Sequence, residues 1–532
     1  MSEFELSKLQ NGSDIRGIAI PDEGETAELT ERSVTRLVKG FLLWLSERTG
    51  KEPADLKVSI GRDSRLSGPD IMRWSVNALA PYGVTVLDCG LATTPAMFMS
   101  TIFEGYLCDG ALMVTASHMP PDRNGLKFFT RRGGLEKEDI AQIIDYAESR
   151  EKIDSLGPMT GMTGYDIVDG QVVYPAEESD LMPVYASYLR ELIVKGTDEG
   201  GNETEPDGGA SAPVTVYNDK PLEGLKIVVD AGNGAGGFYA TEVLEPLGAD
   251  VSGSLFLEPD GTFPNHVPNP ENADALRAIC DQVKATDADL GLIFDTDVDR
   301  SAAVGPNGEP IARNAVVALA AAITAKEAPG TTVVTDSVTS DHLTDFIEGL
   351  GLKHFRYKRG YRNVINKAAE LNAAGVDSAL AIETSGHCAM RSNFFMDDGA
   401  YLATRIVIEE AMLKAEGRSI SDLISGLVEP ASAEEHRLPI HDENFRDYGN
   451  MILEKLAEWA GARGDMTVVE PNYEGVRVSF DDGNLQGWFL LRLSLHEPLM
   501  PLNIESDAAG GCTAIMGKLK PFLAGFPKLE IV

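Results

Sequence analysis

The sequence predicts an α/β protein: three related α/β domains with mixed sheets, followed by a C-terminal α+β domain. Three observations carry this. A β-rich run, a polar turn built from Gly, Asp, Ser or Asn, and a helical stretch recur in that order along the chain. At 532 residues the chain is longer than one hydrophobic core can organise. Near residue 430 the alternation gives way to a single long helix and then several β-rich segments.

The elements follow from periodicity. Val34, Leu37, Val38, Phe41, Leu42 and Leu45 share one face of an amphipathic helix, which Gly50 is placed to cap. Residues 57–60 read as a strand before Gly61-Arg62-Asp63-Ser64, and residues 111–114 as a short buried strand. Residues 226–229 precede the turn Asp230-Ala231-Gly232-Asn233-Gly234, and residues 331–334 precede Thr335-Asp336-Ser337. Leu290–Phe294 and Ser378–Ile382 are apolar runs of strand length. Residues 315–325 form an apolar helix about half as long as a bilayer requires, so it is expected to be buried in protein. Residues 196–212, rich in Gly, Glu and Asp with no aromatic residue, are expected to be a flexible surface insertion. The last part holds a helix at 445–460 and β-rich segments at 466–470, 475–480 and 487–493. The expected domains are 1–155, 156–308 (carrying the insertion), 309–430 and 431–532.

Composition narrows the class. Hydrophobic content of 43% and charged content of 24% are those of an ordinary globular chain. A net charge of −37 argues against nucleic acid and against anionic membrane surfaces as partners. An anionic substrate must then be drawn in by local positive charge. Five scattered cysteines (Cys89, Cys108, Cys280, Cys388, Cys512) form no C-x-x-C pair, which points away from disulfide frameworks and zinc sites. With no N-terminal apolar stretch resembling a signal peptide, a cytoplasmic protein is expected.

Four stretches carry chemistry. Thr115-Ala116-Ser117-His118-Met119, then Pro120-Pro121 and Asn124-Gly125-Leu126-Lys127, come directly after the strand at 111–114. A serine just past a strand end is free of the ladder, and the prolines, Asn124 and Gly125 predict a fixed turn after it. With Ser117 as oxygen nucleophile, Lys127 as cation and His118 as proton acceptor, the stretch could carry a phosphoryl group; read alone, it is equally a polar surface turn. Asp295, Asp297 and Asp299 follow the run Leu290–Phe294, and alternation in an extended chain would place all three on one side, a hard oxygen set suited to Mg²⁺. The plain alternative is an acidic loop, common in a chain this acidic. Glu383-Thr384-Ser385-Gly386-His387 follows Ser378–Ile382; Glu383 and Ser385 could bind neighbouring sugar hydroxyls and His387 could move a proton. Arg492-Leu493-Ser494-Leu495-His496-Glu497-Pro498 carries an arginine, a hydroxyl and a histidine, and read alone is an edge strand with incidental polar residues; its role as a phosphate grip, with His496 as a donor, is what the resemblance below implies.

Together these stretches resemble the α-D-phosphohexomutases, the phosphomannomutase and phosphoglucomutase superfamily, in the same order along nearly the whole chain. The serine loop matches T-[AG]-S-H-N-P with N-G-x-K, with Met119 in place of Asn. The acidic loop, with Arg300, matches D-x-D-x-D-R, and the third stretch matches G-E-x-S-G-H with Ile382 in place of Gly. The fourth matches R-x-S-[GN]-T-E-P, with Leu495 and His496 as departures. Asp14-Ile15-Arg16-Gly17, Gly61-Arg62-Asp63-Ser64-Arg65, Phe263-Pro264-Asn265-His266 and, loosely, Lys358-Arg359-Gly360-Tyr361-Arg362 support the match. The resemblance implies four domains around a central cleft and a Mg²⁺-dependent exchange of hexose 6-phosphate and hexose 1-phosphate, with glucose and mannose phosphates first and glucosamine phosphate as the runner-up. A non-catalytic phosphosugar-binding regulator is the rival. The resemblance further implies phosphorylation of Ser117, which would join Asp295, Asp297 and Asp299 at the metal, and Arg16 beside it. Arg300, Glu383, Ser385, Arg492, Ser494 and His496 would bind substrate, and His387 would be a general base. Hexose 1,6-bisphosphate would be the intermediate and activator, and the protein a monomer or homodimer.

Overall fold

The computed structural model describes residues 5–157, 166–168, 171–198, 202–204, 214–216, 218–494 and 497–531. The chain divides into two compact units, Met1–Val316 with Ser385–Leu423, and Val317–Thr384 with Ile424–Val532.

The first unit is built on a mixed sheet in the strand order Gln10–Asn11, Asp14–Ile18, Arg123–Thr130, Gly110–Val114, Lys57–Arg62, Thr85–Leu91 and Glu177–Glu178. The strands from Gly110–Val114 onward in this order run parallel, while Asp14–Ile18 and Arg123–Thr130 pair antiparallel. The expected helix spans Glu31–Thr49, begins in a capping box at Thr30 and Ser33, and ends at Gly50 in the left-handed region. Its face from Val34 to Leu45 is buried with Val58, Leu112, Leu126 and Phe128, so helix and strand periodicities meet in one core.

Asn124-Gly125-Leu126-Lys127 departs from expectation. It lies inside the strand Arg123–Thr130 rather than in a turn. The reason is close approach: a Cβ on Gly125 would stand 2.3 Å from the Ile15 carbonyl oxygen and 2.6 Å from that of Thr115. Gly125 therefore lets two backbones crowd a strand, which is a different use of glycine from a turn. The turn lies before the strand, closed by the Met119 N–H on the Ala116 carbonyl at 3.2 Å and the Arg123 N–H on the Pro120 carbonyl at 3.1 Å.

A second sheet orders Ile227–Asp230, Leu290–Phe294, Ser301–Val304 and Pro310–Ile311, with the first pair parallel and the rest antiparallel. The helix Ala273–Thr286 covers it through Ala275, Ile279 and Val283. Of the expected insertion at 196–212, the first two residues end the helix Leu181–Thr197, and Asn202–Thr204 pairs antiparallel with Val214–Val216 just beyond it. Residues 199–201 and 205–213 lie outside the described residues.

In the second unit Thr332–Thr335 stands between Lys353–Arg356 and Ser378–Ile382, all parallel. Its C-terminal part is an antiparallel sheet in the order Ser432–Pro439, Leu499–Ser506, Gln486–Leu491, Val476–Asp481 and Met466–Val468. Helices Phe445–Gly461 and Gly511–Leu523 share its core through Ile452, Leu456, Ile515 and Leu519. The apolar helix Asn314–Glu327 is buried along most of its length. Among the described residues no helix is long and apolar enough to cross a membrane. All five cysteines are buried free thiols.

Candidate active site

Ser117 stands just beyond the strand Gly110–Val114, buried to 1% exposure, with its backbone at φ +52°. A non-glycine residue in the left-handed region persists only where its surroundings hold it there. Arg65 supplies much of that hold. Its fully buried guanidinium donates to the carbonyl oxygens of Ser117 at 2.5 Å, Met119 at 2.6 Å, Pro120 at 2.7 Å and Arg123 at 2.9 Å. Asp63 pairs with Arg65 Nε at 3.3 Å and accepts the Arg65 backbone N–H at 2.9 Å. Burial pushes the Asp63 carboxyl up and the Arg65 guanidinium down against their mutual attraction. The fold therefore holds this pair together more than the pair holds the fold.

The serine hydroxyl donates to Asp295 Oδ2 at 2.9 Å and accepts from an Arg300 guanidinium nitrogen at 3.2 Å. His118 Nδ1 accepts from the same nitrogen and lies 3.4 Å from the Ser117 hydroxyl. Arg300, then burial, pushes the His118 imidazole down to about 2. His118 Nδ1 is engaged as a hydrogen-bond acceptor by a permanent cation, which makes the imidazole a weak base beside the serine.

The three aspartates converge, though not by strand alternation. Val298 sits at φ +67°, its N–H donates to the Asp295 carbonyl at 3.3 Å, and the Arg300 N–H returns to Asp295 Oδ1 at 3.2 Å. The loop is a tight turn, and the turn rather than the pleat brings the carboxylates within 4.8 Å of one another. Lys127 Nζ lies 2.8 Å from Asp297 Oδ2 and 2.5 Å from Asp299 Oδ2. Thr94, which no motif in the sequence singles out, donates its hydroxyl to Asp297 Oδ2 at 2.5 Å and its N–H to the Asp297 carbonyl at 2.9 Å. Burial, then the charges of Asp299 and Asp297, push Asp295 well above the carboxylate range. Burial acts the same way on Asp299, but Lys127, His387 and Arg300 together outweigh it and hold that carboxyl low. The buried Oδ1 atoms of Asp297 and Asp299 accept no hydrogen bond among the described residues. Three hard oxygen donors, two of them with an unanswered buried oxygen, fit a small divalent cation such as Mg²⁺.

His387 completes the cluster. Gly386 before it sits at φ +92°, and a Cβ there would meet the Ser301 carbonyl oxygen at 2.6 Å, so the approach to residues 300–301 requires glycine. His387 Nδ1 lies 2.5 Å from Asp397 Oδ2 and 3.7 Å from Asp299 Oδ1. Burial, then the Asp299 charge, push Asp397 well above the usual range, with Lys127 and Arg300 opposing. Asp397 was not foreseen, although Asp397-Asp398-Gly399 at the start of the helix Gly399–Ala415 was a visible signal. Arg16, opposite Gly125 in the neighbouring strand, pairs with Asp14 at 2.9 Å, and its charge also lowers His118. Ser385 is buried with its hydroxyl unpartnered among the described residues.

The other expected site residues belong to the second unit. Glu383 is buried, and its Oε1 accepts the Gly360 N–H at 2.5 Å. Arg492 and Ser494 follow the strand Gln486–Leu491; burial lowers the Arg492 guanidinium, and the Ser494 hydroxyl accepts the Glu497 N–H at 3.2 Å. Leu495 and His496 lie outside the described residues.

Three phosphoglucomutase/phosphomannomutase α/β/α domain families, I, II and III, match residues 7–154, 211–308 and 312–431. The chain is 30% identical over 473 residues to a phosphomannomutase/phosphoglucomutase of Pseudomonas aeruginosa, covering 87% of each. It is 29% identical over 476 residues to a phosphoglucomutase of Neisseria gonorrhoeae, covering 89% of this chain and 90% of that one. Among solved structures it resembles a phosphoglucomutase/phosphomannomutase family protein from Burkholderia thailandensis, with TM-score 0.73, 26% identity and 97% coverage of both chains.

Proposed function

The chain belongs to the phosphoglucomutase/phosphomannomutase family of the α-D-phosphohexomutases, and from that membership we propose that it interconverts hexose 6-phosphate and hexose 1-phosphate. Glucose and mannose phosphates are the proposed substrates, and Ser117 the carrier of the phosphoryl group. A sugar hydroxyl attacks the phosphorus of phosphorylated Ser117; the bond to the serine oxygen breaks as the new O–P bond forms, the hydroxyl proton passes to a base, and the freed serine oxygen takes up a proton to become the hydroxyl again. The resulting hexose 1,6-bisphosphate turns over. The Ser117 hydroxyl then gives up its proton and attacks the other phosphoryl group, the sugar O–P bond breaks, and the released sugar oxygen takes up a proton.

The observation that carries this reading is the setting of the Ser117 hydroxyl. It is buried, held by Arg300 and Asp295, with Lys127 gathering Asp297 and Asp299 beside them. Arg300, Lys127 and Arg16 are the cations for phosphoryl oxygens, and His387 the residue that moves the proton. Mg²⁺ held by Asp295, Asp297 and Asp299 would supply positive charge against the phosphoryl group. Glu383 and Ser385 would bind sugar hydroxyls, and Arg492, Ser494 and His496 the other phosphate.

The test is isolation of the active protein and mass spectrometry of the peptide 115–127. A phosphate adduct at Ser117 that exchanges with added glucose 1,6-bisphosphate is expected, with loss of nearly all turnover in Ser117→Ala. Protein primed with bisphosphate and Mg²⁺ that turns over neither glucose 1-phosphate nor mannose 1-phosphate would overturn the reading.

A further inference from the structure

One carboxylate stands beside the arginine proposed to grip the phosphate, and the chemistry above gives it no task. We propose that Glu474 is a fixed counter-charge to Arg492 that weakens the hold on the phosphate, so that the hexose bisphosphate can leave the grip and turn over. The inference rests on the mutase reading and deepens it.

Glu474 lies just before the strand Val476–Asp481. Its Oε2 accepts the Arg359 backbone N–H at 3.2 Å and also the Ser337 hydroxyl. Ser337 is itself held, because Arg477 donates to its carbonyl and to that of Thr339, each at 3.1 Å. The Asn472 side chain donates to the carbonyls of Glu474 and Gly475, each at 2.9 Å, and fixes the turn. Gly475 sits at φ +59°, and a Cβ there would stand 2.2 Å from the Leu491 carbonyl oxygen and 2.8 Å from Arg492 Cα. The chain that bears Glu474 is therefore pressed against the backbone of Arg492, and two donors keep its carboxylate in place. The next N–H after that of Arg359, on Gly360, donates to Glu383 Oε1 at 2.5 Å. Successive N–H groups thus bind Glu474 and the carboxylate proposed to hold the sugar.

The buried Nε of Arg492 has no acceptor among the described residues. Burial lowers its guanidinium; the Glu474 charge is the strongest influence opposing that, while Arg359 adds to it. Burial pushes the Glu435 carboxyl up, but the Asn503 amide and then Arg359, Arg492 and Arg437 outweigh it and hold it low. Arg359 and Arg492 thus share their field with Glu474 and Glu435. A phosphate bound there is attracted by cations already partly answered and repelled by an anion the fold keeps in place. Binding energy exerted equally on ground and transition states lowers KM without raising kcat. In the mutase reading one sugar presents its two phosphates to the grip in turn, so the hold must break once in every turnover. Unopposed arginines would retain the first phosphate.

Glu474→Gln is nearly isosteric and keeps an oxygen for Arg359 and Ser337, so it removes the charge and little else. Calorimetric titration with glucose 1-phosphate would use the full-length chain carrying Ser117→Ala, in which turnover does not disturb the heats. Adding Glu474→Gln is expected to tighten binding by about three- to tenfold, the effect of one unit charge at a half-wet site. With Ser117 intact, Glu474→Gln should lower KM and kcat together, with Tm nearly unchanged. Glu474→Asp keeps the charge on a shorter arm and should bind within about twofold of its parent. A carboxylate that only held Arg359 and Ser337 would give the reverse order, with Gln neutral and Asp impaired. Glu474→Gln that binds no tighter than its parent overturns the proposal, as does a tighter variant whose kcat is not lowered. Should the glutamine variant not fold, Glu474→Ala is read in the same titration by the same sign. The binding comparison needs no turnover, so failure of the mutase reading would show separately, as absent activity in wild type.

Discussion

Arg65→Lys keeps the charge at the centre of the serine loop and removes its shape. The guanidinium reaches four carbonyl oxygens with two nitrogens, Ser117 and Met119 from one and Pro120 and Arg123 from the other, while Nε faces Asp63. An ammonium has three donors on one atom, so it cannot reproduce two separated forks. Loss of two of the four bonds, each worth about 1.5–3 kcal/mol because the donor is charged, would cost about 3–6 kcal/mol if the loop stayed in place. The loop has an alternative. Residues 117–123 can relax toward water, which caps the cost but releases Ser117 from its φ of +52°. Restoring the reactive geometry from that relaxed state at about 3 kcal/mol would lower kcat roughly 100-fold. Steady-state kinetics with glucose 1-phosphate, thermal unfolding and hydrogen exchange across 115–123 would be measured together. Faster exchange confined to that segment, a kcat loss of about two orders of magnitude and a modest fall in Tm are expected. Wild-type exchange together with a kcat within threefold would refute the idea that Arg65 shapes the loop.

The remaining predictions concern the metal and pH. Adding Mg²⁺ to EDTA-treated wild type should raise its thermal stability, by about 2.7 kcal/mol at 100 times Kd, whereas Asp297→Asn should lose most of the response. A wild type indifferent to both EDTA and Mg²⁺ would remove the aspartate cluster as a cation site. Burial pushes the Glu410 carboxyl up to about 7 despite the Ile420 N–H that donates to it at 2.8 Å. Because its pKa in the folded state is raised, the stability it contributes is full below the unfolded value and is lost as pH rises through about 7. Glu410→Gln keeps an acceptor for Ile420 and has no charge to bury. Wild type should therefore lose about 2 kcal/mol relative to the variant between pH 5 and pH 8.5 in denaturant titrations, and parallel profiles would count against this.

What could be read from the sequence was local. Leu290–Phe294 and Ser378–Ile382 run as strands over the same residues as their apolar runs, because a strand buried on both faces is continuous in hydrophobicity and stops where polarity begins. The helix Glu31–Thr49 announced its buried face and its glycine cap. What could not be read was contact between distant segments. Gly125 looks like a turn residue until Ile15 and Thr115 are seen pressing on it. Asp295, Asp297 and Asp299 were rightly grouped, but by pleat geometry, when a positive φ at Val298 gathers them. Thr94 reaches Asp297 across 203 positions and Arg65 reaches Ser117 across 52, and no periodicity records such pairs. Asp397 was closer to legible, only ten residues from His387, yet an Asp-Asp-Gly before a helix reads first as a cap.

The charge of the whole chain and the charge of the site obey different rules. A formal −37 spread over the surface is screened beyond about 8 Å at physiological ionic strength. Lys127, Arg300 and Arg65 are buried, and their partners lie within 4 Å, where little water or salt intervenes. A phosphoryl group entering beside Ser117 would therefore feel Arg300 and Lys127 before it felt the acidic surface. The same proximity explains why Lys127 bridges Asp297 and Asp299: three buried carboxylates within 4.8 Å repel one another, and the ammonium offsets part of that repulsion. A divalent cation would offset more of it through the Oδ1 atoms that Lys127 leaves unanswered. On this reasoning the acidic cluster and its cations are one electrostatic unit, so removing either half should disturb the other, whatever the surface carries.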